Sequence, residues 1–368
     1  MMSIEKGKIS SYQLIILIFT SMSGSAVILY PGREAGTDTW LAYLAGFAAA
    51  LLLAMLVIKL SREYPGKNLI EINDAVYGSI AGRIISLLYI WYFFHLGSIV
   101  VRDFADFLSA TMLPFTPIPV FVFVSLVLVA YMIRSGIEVI GRCAAAIFPL
   151  IMLTLFFITA TISNEIKFNS LLPIMDITAR DFLRASFHTA IFPFGEIIVF
   201  LMVAAFLENQ KKIASSLILG MVLAVLNMLA LSLLTITVLN GLAGVFTYPI
   251  HVMIYRIDIG DIITRVDILG ASAGLLLGII KMAVMYYAAA LGTAQVLNLR
   301  SYTPVVLPIG LLMFDLSILQ FPNALDNFVF HSQTYSYYAL FFQLFLPLLT
   351  LLVSQGRKKI KGAASHNT

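Results

Sequence analysis

Apolar runs of membrane-spanning length recur along this chain almost without pause, and that recurrence constrains the fold more than any motif does. Bounded by charge, Gly or Pro, the runs cover residues 12–30, 40–60, 83–108, 117–133, 142–162, 186–207, 213–239, 268–298, 303–321 and 335–354. A helix needs ~20 apolar residues to cross ~30 Å of hydrocarbon. Lipid offers no partner for a backbone N–H or C=O, so such segments must close their own hydrogen bonds as helices. Composition agrees: 60% hydrophobic residues and 11% charged residues over 368 positions exceed what a soluble core absorbs. The expected fold is an all-α polytopic membrane protein of ten transmembrane helices, one integral domain over residues 1–368. The apolar opening after Lys6 and Lys8 has no small-residue cleavage site at its end and is read as a retained first helix. A single Cys143 allows no internal disulfide. Ten spans put both termini on one side. That side holds fifteen Lys and Arg, including the short basic tail at 355–368, against seven on the other, with Lys281 left inside the eighth run. The positive-inside rule places the richer side in the cytoplasm.

Within the sixth run, Phe192-Pro193-Phe194-Gly195-Glu196 puts a helix breaker, a Gly and a carboxylate near mid-membrane. Pro193 cannot donate a backbone hydrogen bond and Gly195 loses the most entropy in a helix, so freed backbone groups need other partners. Irregular backbone at this depth is tolerated only where protein covers it or a cavity reaches it. Glu196 adds ~2.5–3.5 kcal/mol of insertion cost unless paired or hydrated. The plainer alternative is a Pro kink that shapes helix packing. The first run has its own irregularity, Ser21-Met22-Ser23-Gly24-Ser25-Ala26, which suits either a close packing face or a second break. Runs one and six hold equivalent places in two five-helix halves, 12–162 and 186–354, and paired interruptions of that kind point to a transporter-type binding site. Ser23, Gly24, Ser25 and Ala26 would then offer half-helix N–H groups to an anionic ligand.

Lys281, midway along the eighth run, needs a partner or a function, and Glu196 is a candidate for a structural pair or a proton relay. Tyr286 and Tyr287 follow on later turns and either line the cavity or pack. Tyr92 and His95 stand in the third run, and His95 is either a satisfied packing residue or a ligand contact. Nothing at metal-ligand spacing accompanies it, so no metal is expected. Arg102, Asp103 and Asp106 mark the end of that span, and Asn227 either joins helices or lines the site. Tyr248 to Asp267 and Asp176 to Arg184 read as short amphipathic surface elements. The chain carries no nucleotide-binding Gly-rich loop, metal cluster or nucleophile constellation, so neither an enzyme nor a cofactor is expected. The basic tail fits topology, not nucleic-acid binding.

Three stretches together resemble the spore germination permease family: Arg33-Glu34-Ala35-Gly36-Thr37-Asp38-Thr39-Trp40, the Phe192–Glu196 break, and Tyr248-Pro249 followed by Ile259 to Arg265. The resemblance covers almost the whole chain. It implies kinship with amino acid permeases of the amino acid, polyamine and organocation superfamily, hence a LeuT/APC-like fold, a 5+5 inverted repeat with helices one and six broken. It further implies the B subunit of a nutrient germinant receptor in the inner membrane of a bacterial spore. Such a subunit works in the lipid bilayer beside an A subunit and a lipoprotein C subunit. The implied ligand is a small nutrient, an amino acid or a sugar, held at Ser23 to Ala26, Tyr92, His95, Phe192 to Glu196, Tyr286 and Tyr287. One departure stands out: amino acid permeases often have a Gly-rich break in span one, whereas here Ser23 and Ser25 flank the single Gly24, which weakens the case for carboxylate recognition there. A proton-coupled transporter of amino acids or other small solutes is the alternative.

Overall fold

The computed structural model describes residues 4–256 and 266–366. Among these, the chain is helical from end to end and forms no strand beyond one isolated bridge between Ile9 and Leu207. The first half holds α1 (Ser11–Leu29), α2 (Thr39–Glu63), α3 (Leu69–Tyr77), α4 (Ser79–Thr111), α5 (Ile118–Arg134) and α6 (Ile137–Ile162). The second holds α7 (Ala179–Ile191), α8 (Phe200–Val203), α9 (Ile213–Val238), α10 (Pro249–Tyr255), α11 (Val266–Val296) and α12 (Thr303–Leu319). The last span is assembled from α13 (Ala324–Val329), α14 (Ser336–Leu340) and α15 (Leu346–His366), joined by two π-helical turns, Phe330–Tyr335 and Phe341–Phe345.

Eight helical stretches among the described residues are long and apolar enough to cross a bilayer. The expected fourth and ninth spans are α5 and α12, apolar helices of 17 residues each, or about 26 Å at 1.5 Å per residue. Among the described residues the structure therefore gives eight spans of crossing length and two shorter apolar helices at the places where ten spans were expected. The expected tail from residue 355 continues α15 as helix. The Asp176–Arg184 element is the start of α7, where Thr178 Oγ1 accepts from Asp181 N at 3.1 Å. Of the amphipathic stretch at 248–267, α10 is described, while 257–265 lie outside the described residues. Helix α3 fills what the sequence reads as a loop, its start fixed by a reciprocal cap between Asn68 and Glu71.

Burial sorts the spans. The most apolar window of Ala179–Phe206 is 100% buried and that of α1 is 78% buried, against 17% for Ile137–Glu165. The sixth span is thus wrapped in protein while α6 faces lipid, which is the condition under which irregular backbone survives at membrane depth. Helix α1 packs chiefly on α9 and α11, α11 runs along α4, and α7 lies on α2. Contact of α11 with α4 is close enough that a Cβ added to Gly278 would lie 2.1 Å from Phe104 Cζ. Gly278→Ala is accordingly expected to cost ~1–3 kcal/mol by overpacking, measured as a lower unfolding midpoint of the purified protein. An unchanged midpoint would mean that Phe104 swings aside freely.

The break expected in span one is absent. Helix α1 is continuous through Ser21–Ala26 and ends only at Tyr30, which is left-handed at φ 49°, followed by Pro31 and by Gly32 at φ 80°. Ser and Gly weaken a helix but, unlike Pro, leave every N–H able to donate, so the ladder closes. The N–H groups of residues 23–26 are spent inside the helix, and the half-helix anion site foreseen there does not form. What Gly24 provides is proximity: a Cβ there would meet Lys281 Cβ at 3.2 Å and the Leu277 carbonyl at 3.3 Å.

Ties at each end lock the bundle. On the side of the termini, Ile9 N donates to the Phe206 carbonyl and Glu208 N to the Ile9 carbonyl, both at 3.0 Å. Glu5 accepts from Gly7 N at 2.7 Å, Tyr302 OH at 2.9 Å, and Tyr287 OH and Ile137 N at 3.3 Å. Lys358 reaches Glu63 at 3.0 Å on the same side. At the opposite end, Arg33 donates to the carbonyls of Leu29, Phe246 and Thr247, and Asp38 accepts from Met175 N at 3.0 Å.

Candidate functional site

Helix α7 stops at Ile191 because Pro193, two residues on, has no N–H to continue the ladder. Phe192 is extended, its N–H bonded to the His188 carbonyl at 2.8 Å, and the chain resumes as a 3-10 helix over Phe194–Val199. This turn carries Glu196 into the protein interior at 2% exposure. Lys281 Nζ of α11, with no exposure, lies 2.7 Å from Glu196 Oε2. The same ammonium sits 4.7 Å from the centre of the Phe192 ring, a cation–π contact that helps offset its lost hydration.

The other carboxylate oxygen ends a directional chain of hydrogen bonds. Tyr335 OH donates to Glu196 Oε1 at 2.9 Å. The Tyr335 oxygen faces Tyr92 OH at 3.3 Å, and Gln343 Nε2 donates to Tyr92 OH at 2.8 Å. Because Gln343 supplies a proton to Tyr92 and Tyr335 gives its own to the carboxylate, the Tyr92 proton points at Tyr335 and the whole chain is polarised toward Glu196. Tyr92 also stacks on Phe342, ring centres 4.6 Å apart. Two members of the chain come from the π turns, Tyr335 from the first and Gln343, at the far end, from the second. A π turn inserts an extra residue and re-aims the side chains that follow, a common device at functional sites.

Several residues singled out from sequence therefore meet: Phe192, Glu196, Lys281 and Tyr92 form one cluster. Gly195 abuts Gln343, and Gly24 abuts Lys281. Phe194 packs edge-on against Phe47 at 5.6 Å, and Ala26 is core packing. Ser23 is held by Asn227 Nδ2 at 3.3 Å, which makes Asn227 a helix-joining residue, while Ser25 Oγ is buried without a partner among the described residues. Three others are not brought to the pair. His95 bonds Tyr338 OH at 3.1 Å and stacks on Trp91. Tyr286 donates to the Val306 carbonyl, and Tyr287 turns to Glu5. Arg102, Asp103 and Asp106, foreseen as a span end, are buried: Arg102 bonds Asp106 at 2.9 Å and the carbonyls of Ser317 and Phe321, and Asn327 bonds both aspartates at 3.0 Å. Sequence reasoning missed Tyr335 and Gln343. Gln343 did carry a signal, a lone amide inside Phe341-Phe342-Gln343-Leu344-Phe345.

Phe192 also forms a wall of a small cleft on the side away from the termini, bounded by the end of α1 and the residues after it (29–34), by His188 of α7 and by His331 of the first π turn.

A family model described as "Spore germination protein" matches residues 8–325. Over 364 residues the chain is 29% identical to spore germination protein KB of Bacillus subtilis (strain 168), covering 96% of each. It is 25% identical over 359 residues to spore germination protein YndE of the same organism, covering 96% of this chain and 98% of that one. Among solved structures, Mhp1, a nucleobase-cation-symport-1 family transporter in a closed conformation with bromovinylhydantoin bound, superposes with a TM-score of 0.69 at 13% identity over 91% of this chain and 76% of its own. MhsT in complex with L-phenylalanine gives 0.66 at 13% identity, covering 95% and 93%. At such identities the likeness is one of fold, the LeuT type.

Proposed function

Because the chain belongs to the spore germination permease family, as a multi-pass membrane protein of LeuT-type fold rather than an enzyme, we propose that it is the B subunit of a nutrient germinant receptor. In this reading it sits in the spore inner membrane with both termini cytoplasmic, its halves at 12–162 and 186–354 meeting at the sixth-span break. It works beside an A subunit and a lipoprotein C subunit, and binds an amino acid or a sugar at the break. The observation that carries the reading is the Glu196–Lys281 pair at the interruption, 2.7 Å apart and closed over by Phe192. A ligand group that competes for either charge loosens the tie between the sixth span and α11 and, through Tyr335 and Gln343, the tie to the last span. Differential affinity of ~1–3 kcal/mol between two arrangements suffices for signalling, without net transport.

Spores carrying Glu196→Gln test this. Germination in a mixture of the common amino acids and glucose, followed by loss of optical density, is expected to slow at least about ten-fold at unchanged protein level. Germination at the normal rate would overturn the reading. A second reading, a proton-coupled small-solute transporter, is favoured by one feature, the hydrogen-bond chain from Gln343 through Tyr92 and Tyr335 that ends on a carboxylate. Amino acid uptake into proteoliposomes driven by a pH gradient and lost in Glu196→Gln would support it. Absence of flux from a protein that still supports germination would leave the receptor.

A further inference from the structure

We propose that the cleft beyond Phe192 is a separate binding site for a primary ammonium group. Three of its lining residues each hold a buried polar atom with no hydrogen-bond partner among the described residues: Glu34 Oε2, His188 Nε2 and His331 Nδ1. The side chains of His188 and His331 are only 6% and 7% exposed. In each imidazole the other nitrogen faces a carboxylate: His188 Nδ1 lies 3.5 Å from Glu34 Oε1, and His331 Nε2 lies 2.9 Å from Asp103 Oδ1. A carboxylate oxygen only accepts, so the nitrogen facing it carries the hydrogen, and the free nitrogen of the neutral ring is a lone pair. With both rings neutral, all three free atoms are acceptors.

Three of the lining donors, Tyr30, Arg33 and Ser332, are committed elsewhere, Tyr30 OH to Ser232. Arg33, the one Lys or Arg lining the cleft among the described residues, directs its terminal nitrogens to the carbonyls of Leu29, Phe246 and Thr247 and lies over the Phe328 ring. Ser332 Oγ donates to the Val329 carbonyl. A wall of acceptors with a carboxylate among them suits a cation that offers three N–H donors. A metal ion fits less well: no group of three His, Cys, Asp or Glu among the described residues is placed to hold one, whereas N–H donors reach acceptors ~2.8–3.0 Å away from the nitrogen. The cleft has a volume of about 30 Å³, room for an ammonium head, with the rest of the ligand projecting out through the mouth. Such a head group belongs either to a free amine or amino acid or to an amino-headgroup phospholipid.

The full chain in nanodiscs of phosphatidylglycerol, titrated calorimetrically with methylammonium, tests the site, with alanine and N-acetylalanine as the pair that keeps or blocks the ammonium. Methylammonium is expected to bind, and N-acetylalanine to bind at least ten-fold more weakly than alanine. His188→Asn and His331→Gln keep the hydrogen that faces each carboxylate but delete the free acceptor; each is expected to weaken methylammonium at least ten-fold, as is Glu34→Gln. Arg142→Gln, in an exposed pair with Glu138 on the side of the termini, should leave methylammonium binding unchanged, and because the titration reads binding without germination, its failure is distinct from failure of the receptor reading. Repeating the titration with phosphatidylethanolamine in the discs identifies the occupant: competition assigns the lipid headgroup, and no competition a free amine. Absence of methylammonium binding, unweakened binding in all three cleft variants, or Zn²⁺ binding that depends on the two histidines and is not displaced by methylammonium would overturn the proposal.

Discussion

Gly195→Leu is expected to abolish the nutrient response of spores while leaving the amount of protein in the membrane unchanged. A Cβ at residue 195 would lie 1.9 Å from Gln343 Oε1, 2.8 Å from Gln343 Cδ and 3.1 Å from the Ala190 carbonyl. Gln343 cannot yield without releasing Tyr92, which orients Tyr335, which in turn holds Glu196. A side chain at 195 therefore unpicks the whole polar chain from its far end. Membrane insertion depends on the apolar content of the span, which Leu increases, so loss of response is not expected to come from failed insertion. Germination in mixed amino acids and glucose, with immunoblotting of the inner membrane alongside, reads both quantities. A normal response at normal protein level would make Phe192 to Glu196 a structural kink.

The features legible in the sequence are those with a local physical cause. Pro193 beside Gly195 marks a ladder that cannot close, and the break is there. Ser21 to Ala26 carries a similar density of small residues but no Pro, and the helix runs through it. Two opposite charges in apolar spans must find each other or remain costly, so Glu196 and Lys281 were legible as a pair before their 2.7 Å contact was seen. Tyr286 and Tyr287 were misplaced for a reason the sequence already contained. At 100° per residue they stand about 140° and 240° around the helix from Lys281, so neither shares its face. The π turns are a different matter. No Pro or Gly marks Phe330–Tyr335 or Phe341–Phe345, and the extra residue in each decides whether Tyr335 and Gln343 point inward. The cleft was equally hidden, because Glu34, His188 and His331 lie far apart in the chain and each reads alone as an ordinary polar residue near a span end.

Lys281→Ala should be the most destabilising single change at the site, by ~3–5 kcal/mol, because it leaves Glu196 as a buried charge with the Tyr335 hydroxyl as its one side-chain partner among the described residues. The cation–π contact with Phe192 disappears at the same time, and Gly24 loses the alkyl stem against which it packs. Unfolding of the purified protein measures the loss. Glu196→Gln removes the charge but keeps an oxygen able to accept from Tyr335, so adding it to Lys281→Ala is expected to return most of the stability. The energy recovered is the coupling between the two side chains. Strict additivity would mean that the pair contributes nothing beyond its separate parts and that the hydrogen-bond chain alone holds Glu196. The double variant also separates stability from sensing. A protein as stable as the unaltered chain that no longer answers nutrient would place the pair and the contacts of the Lys281 stem, not global stability, in the response to ligand.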